Sequence, residues 1–439
     1  MGRSPGLCET GQEREVTVGA FDPKLETDTS GAEKPGVNKP LTSTFSTSRR
    51  TALGLIAAAP LLGACSSVQQ SISQFSVPNP FSSSSAPPPA GAPQGPVAVG
   101  NGNVKVGMIL PLSAGGNAGL AAISMRNAAE MALAEFLNPN LQLLIKDDAG
   151  SPQGAQQAAQ QALDEGAEII LGPLFAASVP PVAQVARGRG VSVIAFSTDS
   201  SVASRGVYLL SFLPESDVNR IIEYAGATGK RSFAAMLPEN AYGNVVEAAF
   251  KQAVAKRGAR VIVFEKYGAD RATVAHNVAG SLPSADALLL ADDGDAVAQV
   301  ADALVAGGAN LQKVQLLGTG LWDNPRVFGT SALEGGLYAA PDPAGFRSFA
   351  TRYKNKYGSE PVRTATLAYD AVALTAALSR TQGGKRFTTE VLQNSSGFAG
   401  IDGLFRFRAD GTNERGLAVM RVTSKGPVAV AGSPRSFGA

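Results

Sequence analysis

Cysteine is nearly absent from this sequence: Cys8 and Cys65 are the only two in 439 residues. That scarcity excludes a disulfide framework and a cysteine-held metal. Histidine is scarcer still. His276 stands alone, in a polar helix-like stretch with no cysteine or base beside it, and reads as a surface residue. No GxxxxGK[ST] phosphate loop, nucleophile elbow or metal-ligand spacing occurs, so an enzyme is the weakest function class and no cofactor is implied. Charge is sparse as well. Thirty-eight basic residues against 36 acidic ones leave a net charge of +2, with no basic cluster to grip the phosphates of a nucleic acid. A long apolar run is also missing: the run from Ala52 to Leu62 covers eleven residues, whereas a helix crossing a bilayer takes about 20.

That short run sits in TSRRTALGLIAAAPLLGACSS, residues 47–67, with Arg49 and Arg50 just before it and Leu62-Gly63-Ala64-Cys65 just after. This is the layout of a secretory signal peptide rather than of a buried core helix. The tetrapeptide resembles the bacterial lipobox, which implies cleavage before Cys65 and a lipid on that residue. The arginine pair resembles a twin-arginine export signal, and the export route stays open. Residues 1–46 form a polar leader that adds nothing to such a signal. They read as disordered or as a start assigned too early, with Val37 an alternative start. Residues 65–103, including SSSSAPPPAGAPQGP, hold too little apolar surface to fold and read as a tether of roughly 35 Å reach.

From Val104 the rhythm becomes strand, helix, strand, helix. Apolar strands are predicted at Val104–Leu110, Leu141–Lys146, Glu168–Leu171 and Val191–Phe196, then at Phe233–Leu237, Arg260–Glu265, Ala285–Leu290 and Val314–Leu317. Val218, Ile221, Ile222 and Ala225 mark one helix face between them. Val246, Ala249, Phe250 and Ala253 mark another. The alternation predicts an α/β fold of parallel sheets covered by helices, and about 335 residues call for two lobes.

Ligands bind such sheets at the carboxyl ends of the strands. The candidates there are Asp147-Asp148-Ala149-Gly150-Ser151-Pro152, best read as a turn and helix cap, and two hydroxyl-rich segments, Gly172–Ser178 and Phe196–Ser201. Both segments are ordinary helix caps that also suit a small anion.

The fragments DDAGSPQGAQQAAQQAL, GAEIILGPL, GVSVIAFSTDSSVASRG and ENAYGNVVEAAFKQAV, in this order, resemble the leucine-binding-protein family of type I periplasmic solute-binding proteins over about Val104 to Val422. The resemblance implies two Rossmann-like lobes joined by three crossovers, with a ligand between them. It places lobe 1 at 104–212 plus 340–398, lobe 2 at 213–339 plus 399–423, and a tail at 424–439. It also implies that Thr198 and Tyr242 contact the ligand, with Ser178 and Ser197 as nearby polar candidates. Where relatives hold a carboxylate-binding serine this chain has Ala176. The acidic residue that holds a ligand's ammonium falls near Gly320, and Asp292-Asp293-Gly294 replaces an expected aromatic. Asp292 or Asp293 is therefore expected to supply any charge for a cationic group. Trp322, the only tryptophan, is expected either to stack on a ring of the ligand or to form a plain wall.

Two readings follow from the resemblance. One is a lipid-anchored receptor that presents a small amino-acid-like solute to the permease of an ABC importer. The other is a lipoprotein resembling the penicillin-binding protein activators, which contact a peptidoglycan synthase. Ser66 lacks the aspartate that commonly retains lipoproteins at the inner membrane, which leans toward an outer-membrane anchor facing the periplasm.

Overall fold

The computed structural model describes residues 97–437. The leader, the signal-like stretch, Cys65 and most of the tether lie outside the described residues.

The first sheet contains β1 (Val97–Val99), β2 (Val104–Leu110), β3 (Leu141–Asp147), β4 (Ile169–Leu171), β5 (Ser192–Ala195) and β6 (Val207–Leu209). Its spatial order is β1-β3-β2-β4-β5-β6, parallel except for β1. Strand β2 is buried along nearly its whole length, as a strand covered on both faces must be. The cover comes from α1 (Gly116–Glu135), α2 (Pro152–Asp164) and α3 (Val179–Gly188). Helix α2 shows how the sequence sets this up. Ser151 accepts the Gly154 N–H at 3.0 Å, Pro152 takes the first turn, and Ala155, Ala158, Ala159 and Ala162 face inward at helical spacing.

The second sheet repeats the plan. Its elements are α4 (Pro214–Ala227), β7 (Ser232–Pro238), α5 (Ala241–Lys256), β8 (Arg260–Tyr267), α6 (Arg271–Ala279), β9 (Ala287–Leu290), α7 (Gly294–Ala306), β10 (Gln315–Gly318), α8 (Pro325–Phe328) and β11 (Leu337–Ala340). The strands β8-β7-β9-β10-β11 run parallel in that order. The chain then returns as α9 (Pro343–Tyr357), α10 (Ala365–Thr381), α11 (Thr389–Leu392) and an antiparallel sheet of β12 (Phe398–Gly400), β13 (Gly403–Phe407) and β14 (Asn413–Arg415). Strands β15 (Ala418–Arg421) and β16 (Val428–Ala431) finally close the second sheet beside β11.

Three crossovers therefore join the lobes: Leu210–Leu213, Pro341–Asp342 and Gly416–Leu417. The third differs from expectation. Residues 399–423 were expected in lobe 2, but Phe405 and Phe407 of β13 lie in the first sheet's core with Leu367, Ala371 and Leu374 of α10. The physical reason is the alternation in GLFRF, which gives β13 an apolar face that packs against that core rather than joining the second sheet. Only β15 and β16 cross over.

All eight predicted strands are present, with ends shifted by at most two residues. Both predicted helix faces, on α4 and α5, are buried. The three-residue strand β4 is held between parallel neighbours β2 and β5, and the equally short β6 pairs at the sheet edge with β5.

Candidate functional site

In each sheet the first parallel strand, β2 or β7, lies between the next two, β3 and β4 or β8 and β9, and the carboxyl ends at such a reversal are where ligands bind in sheets of this kind. In the first lobe the loops after β2, β3, β4 and β5 reach this rim. Gly172 turns the chain after β4 at a φ of 97°, and any side chain there would strike the Ile109 carbonyl at 2.1 Å, so the loop lies flush on β2. Beyond it Ser178 is fully buried, and its Oγ has no partner among the described residues. Ser197 is also buried and its Oγ accepts the Asp199 N–H at 3.1 Å. Thr198 is exposed. Two residues on, Ser200 donates to Glu215 at 2.6 Å, tying the first-lobe rim to the first turn of α4.

Asp148, after β3, is buried and accepts the Gly150 N–H at 2.8 Å through one oxygen, while the other has no partner among the described residues. Burial pushes its carboxyl up to about 6, and repulsion from Asp147 adds to this.

The second-lobe rim is more tightly knit. Tyr242, at the start of α5, shares a 2.8 Å hydrogen bond with the Thr319 hydroxyl after β10. Asp217 of α4 accepts the Gly320 N–H at 2.9 Å, and burial pushes its carboxyl up to about 7, helped by Glu215. Asp292 accepts from the Tyr267 hydroxyl and from the Asp293 N–H, both at 2.9 Å, and burial raises it as well. Asp293 caps α7 by accepting the Ala296 N–H at 2.9 Å. Burial also raises the Tyr242 hydroxyl, and Asp217 and Asp292 act on it in the same direction. Tyr242, Asp217 and Asp292 therefore share one neighbourhood.

Trp322 is a correction to the expectation of a ligand-facing ring. It is fully buried in the second-lobe core, its indole N–H donates to the Leu290 carbonyl at 2.9 Å, and its ring lies so close to Gly318 that a side chain there would meet it at 2.1 Å. An indole with both faces and its donor satisfied inside a core has no surface left for a ligand.

Where the crossovers meet, the structure assembles a charged cluster that the sequence reading did not single out. Arg363 grips Asp402 with both ends of its guanidinium, and Thr366 donates to the same carboxylate. Burial alone would raise Asp402, but Arg363, Arg415 and the Thr366 hydroxyl outweigh it and hold the group below its ordinary value. Arg415 is 6% exposed and donates from Nε to the Ser211 carbonyl at 2.9 Å, which also accepts from Asn413 at 2.8 Å. Both guanidiniums lie against the Phe212 ring, at 4.5 and 4.8 Å from its centroid. Asp370 accepts the Ile401 N–H at 2.8 Å, and burial with Asp402 nearby pushes it up to about 7. The one signal in the sequence was IDGLFRFRADGTNERG, where arginines recur in strands that a surface hairpin would not bury.

A family model described as periplasmic binding protein matches residues 103–427. The chain belongs to this family. Solved structures agree on the fold of this periplasmic binding protein. A branched chain amino acid ABC transporter periplasmic ligand-binding protein from Burkholderia xenovorans is 17% identical, with a TM-score of 0.61 over 76% of this chain and 96% of that one. An ABC transporter substrate-binding protein from Desulfitobacterium hafniense, solved with Leu, gives 17% and 0.56 over 74% and 99%. A solute binding protein of an ABC transporter from Rhodopseudomonas palustris, solved with 3,4-dihydroxy benzoic acid, gives 19% and 0.55 over 76% and 97%. In sequence, the penicillin-binding protein activator LpoA of Enterobacter sp. (strain 638) is 25% identical over 132 residues. That match covers 30% of this periplasmic binding protein and only 18% of the relative's length. Among the described residues no helix is long and apolar enough to cross a membrane.

Proposed function

We propose that this chain is a lipid-anchored receptor on the periplasmic face of a bacterial membrane, which closes its two lobes on a small amino-acid-like solute and presents it to an ABC importer. The observation that carries this reading is the double switch-point architecture. Two sheets have the same strand order, and the Ser200–Glu215 hydrogen bond joins the loop after β5 to the first turn of α4, at a cleft that we place between the carboxyl ends of the two sheets. Within it, Thr198 of the first lobe and Tyr242 of the second are the proposed ligand contacts, and Asp292 or Asp293 is the proposed counter-charge for an ammonium. Ser178 and Ser197 contribute only through a change of rotamer, since both are buried.

A second reading is favoured by one observation, the match to a penicillin-binding protein activator. In it the same fold contacts a peptidoglycan synthase and holds no solute.

Mass spectrometry of what co-purifies with the native protein identifies a ligand, and small-angle scattering with that ligand separates the readings. Contacts made to both lobes exist only in the closed state, so a saturating solute shrinks the radius of gyration. Thr198→Val then weakens binding by about 1–3 kcal/mol, as for a buried hydrogen bond left unmade. An unchanged radius in a saturated sample rejects the receptor.

A further inference from the structure

We infer that residues 432–437 form a splint across the hinge, a fourth link between the lobes that narrows the range of separations they sample. The inference involves no ligand and holds under either reading of the function.

The splint starts in the second lobe. Strand β16 pairs with β15, Ala431 opposite Val419, and both Val430 and Ala431 pack on the core that α4, α5 and β7 build there. From Ala431 the chain heads back to the first lobe. Pro434 lies on Gly416 of the third crossover, where a side chain would meet the proline ring at 3.0 Å. Phe437 then reaches the antiparallel sheet of β12, β13 and β14. Its ring is centred 4.5 Å from the Arg406 guanidinium of β13, and a side chain at Gly397 would meet it at 2.8 Å. Phe405 and Phe407 of the same strand belong to the first-lobe core, so this second grip is on the first lobe. The third crossover carries the chain from the first lobe to the second, and the splint returns beside it.

The seat for Phe437 is held ready by other contacts. Arg406 donates from Nε to Glu414 at 3.0 Å and from Nη1 to the Ser395 carbonyl at 3.1 Å, which fixes the guanidinium as a platform for a ring. Gly397 has a φ of 74° and no side chain, and both properties keep the space open.

Lobes of this kind swing by rotating the backbone at a few hinge residues. Gly416 is the freest residue of the third crossover. Its N–H is nevertheless bound to the Leu404 carbonyl at 2.8 Å, and Pro434 occupies the place where a side chain would stand. Proline fixes its own φ and holds Ser433 toward an extended conformation, so the splint is stiff where it crosses the hinge. Five residues, 432–436, separate its two grips, a span of at most about 20 Å when extended. A motion that draws β16 away from β13 pulls this segment taut, and one that twists the crossover has to displace Pro434. The family match ends at residue 427, so β16 and the splint lie beyond it.

Pulsed electron spin resonance on the full chain tests this, with nitroxide labels on Gln157→Cys of α2 and Gln252→Cys of α5, both exposed positions, in a Cys8→Ser, Cys65→Ser background. A stop after Ala431 should at least double the width of the lobe-to-lobe distance distribution. Phe437→Ala should broaden it as well, and Phe437→Tyr, which keeps a ring over Arg406, should preserve the full-chain width. A second label pair, Gln252→Cys and Gln312→Cys, lies within the second lobe and should keep its width throughout. If the shortened chain does not fold, Phe437→Ala against Phe437→Tyr decides alone. A lobe-to-lobe width unchanged by Phe437→Ala and by truncation overturns the inference. Equal broadening of both label pairs also overturns it, because the segment would then only hold the second lobe together.

Discussion

Replacing Asp402 by asparagine isolates what the buried charge cluster contributes. The carboxylate is fully buried, receives both ends of the Arg363 guanidinium and accepts the Thr366 hydroxyl. Asparagine keeps the shape but offers one acceptor where there were two, and turns an amide N–H₂ toward the guanidinium. Leaving a buried cation without its counter-charge costs about 3–5 kcal/mol. Over the roughly 340 residues of the folded body, at ~2.1 cal/mol/K per residue, that lowers Tm by about 4–7 °C. Urea denaturation and calorimetry read the change. The folded Asp402 is held below its ordinary value, so its contribution is present above the unfolded value of 3.8 and is lost as pH falls through the folded one. The gap between variant and wild type should therefore persist from pH 5 to 8 and close only below about pH 4. In an Arg363→Met background the same substitution should cost less, because the guanidinium hydrogen-bonded to Asp402 is gone and only the through-space attraction of Arg415 is then lost. A loss under about 1 kcal/mol, or the same loss with and without Arg363, refutes the account.

Three further outcomes are expected. Trp322→Phe should lower stability by about 2–4 kcal/mol through a lost hydrogen bond and a core cavity, and leave affinity for any solute unchanged; a selective loss of affinity would return the indole to the cleft. Asp148, Asp217 and Asp370 are raised to about 6, 7 and 7, so between pH 4 and 7 the folded chain holds protons the unfolded chain has released. Stability should then fall as pH rises toward 8, and Asp370→Asn should flatten that slope in a series of melting curves. Finally, Cys65→Ala should release the protein from the membrane fraction of its host, and firm retention of the variant would disprove anchoring at that residue.

Most of the two sheets was legible in the sequence because eight of the parallel strands are apolar runs set between helical stretches, a local signal that needs no knowledge of partners. VKVGMIL and LQLLIKD announce themselves. The strands β6 and β11 did not, since three or four residues of ordinary composition become strands only once neighbours exist to pair with. The charge cluster was invisible for a related reason. Arg363, Asp402 and Arg415 come from separate segments, and nothing local distinguishes a buried arginine from a solvated one. Trp322 could not be placed because burial of a single aromatic depends on Gly318 and Gly336 making room for it, and glycines in a loop read equally well as turn residues. Tyr242, Asp292 and Asp293 could be placed just after strand ends because the alternation of strand and helix fixes where each loop begins.

The returning C-terminal segments have a consequence for how the molecule comes into being. The first lobe's core is unfinished until α10 and β13 arrive, and the second sheet lacks its β15 neighbour until residue 418. No single stretch of chain therefore amounts to either lobe, and a fragment stopped at the first crossover would expose the apolar face that α10 covers. Assembly has to wait for distant segments, which slows it. Synthesis has to pass residue 418 before either half has a complete interior, so for a long interval the growing chain is a thread rather than a globule.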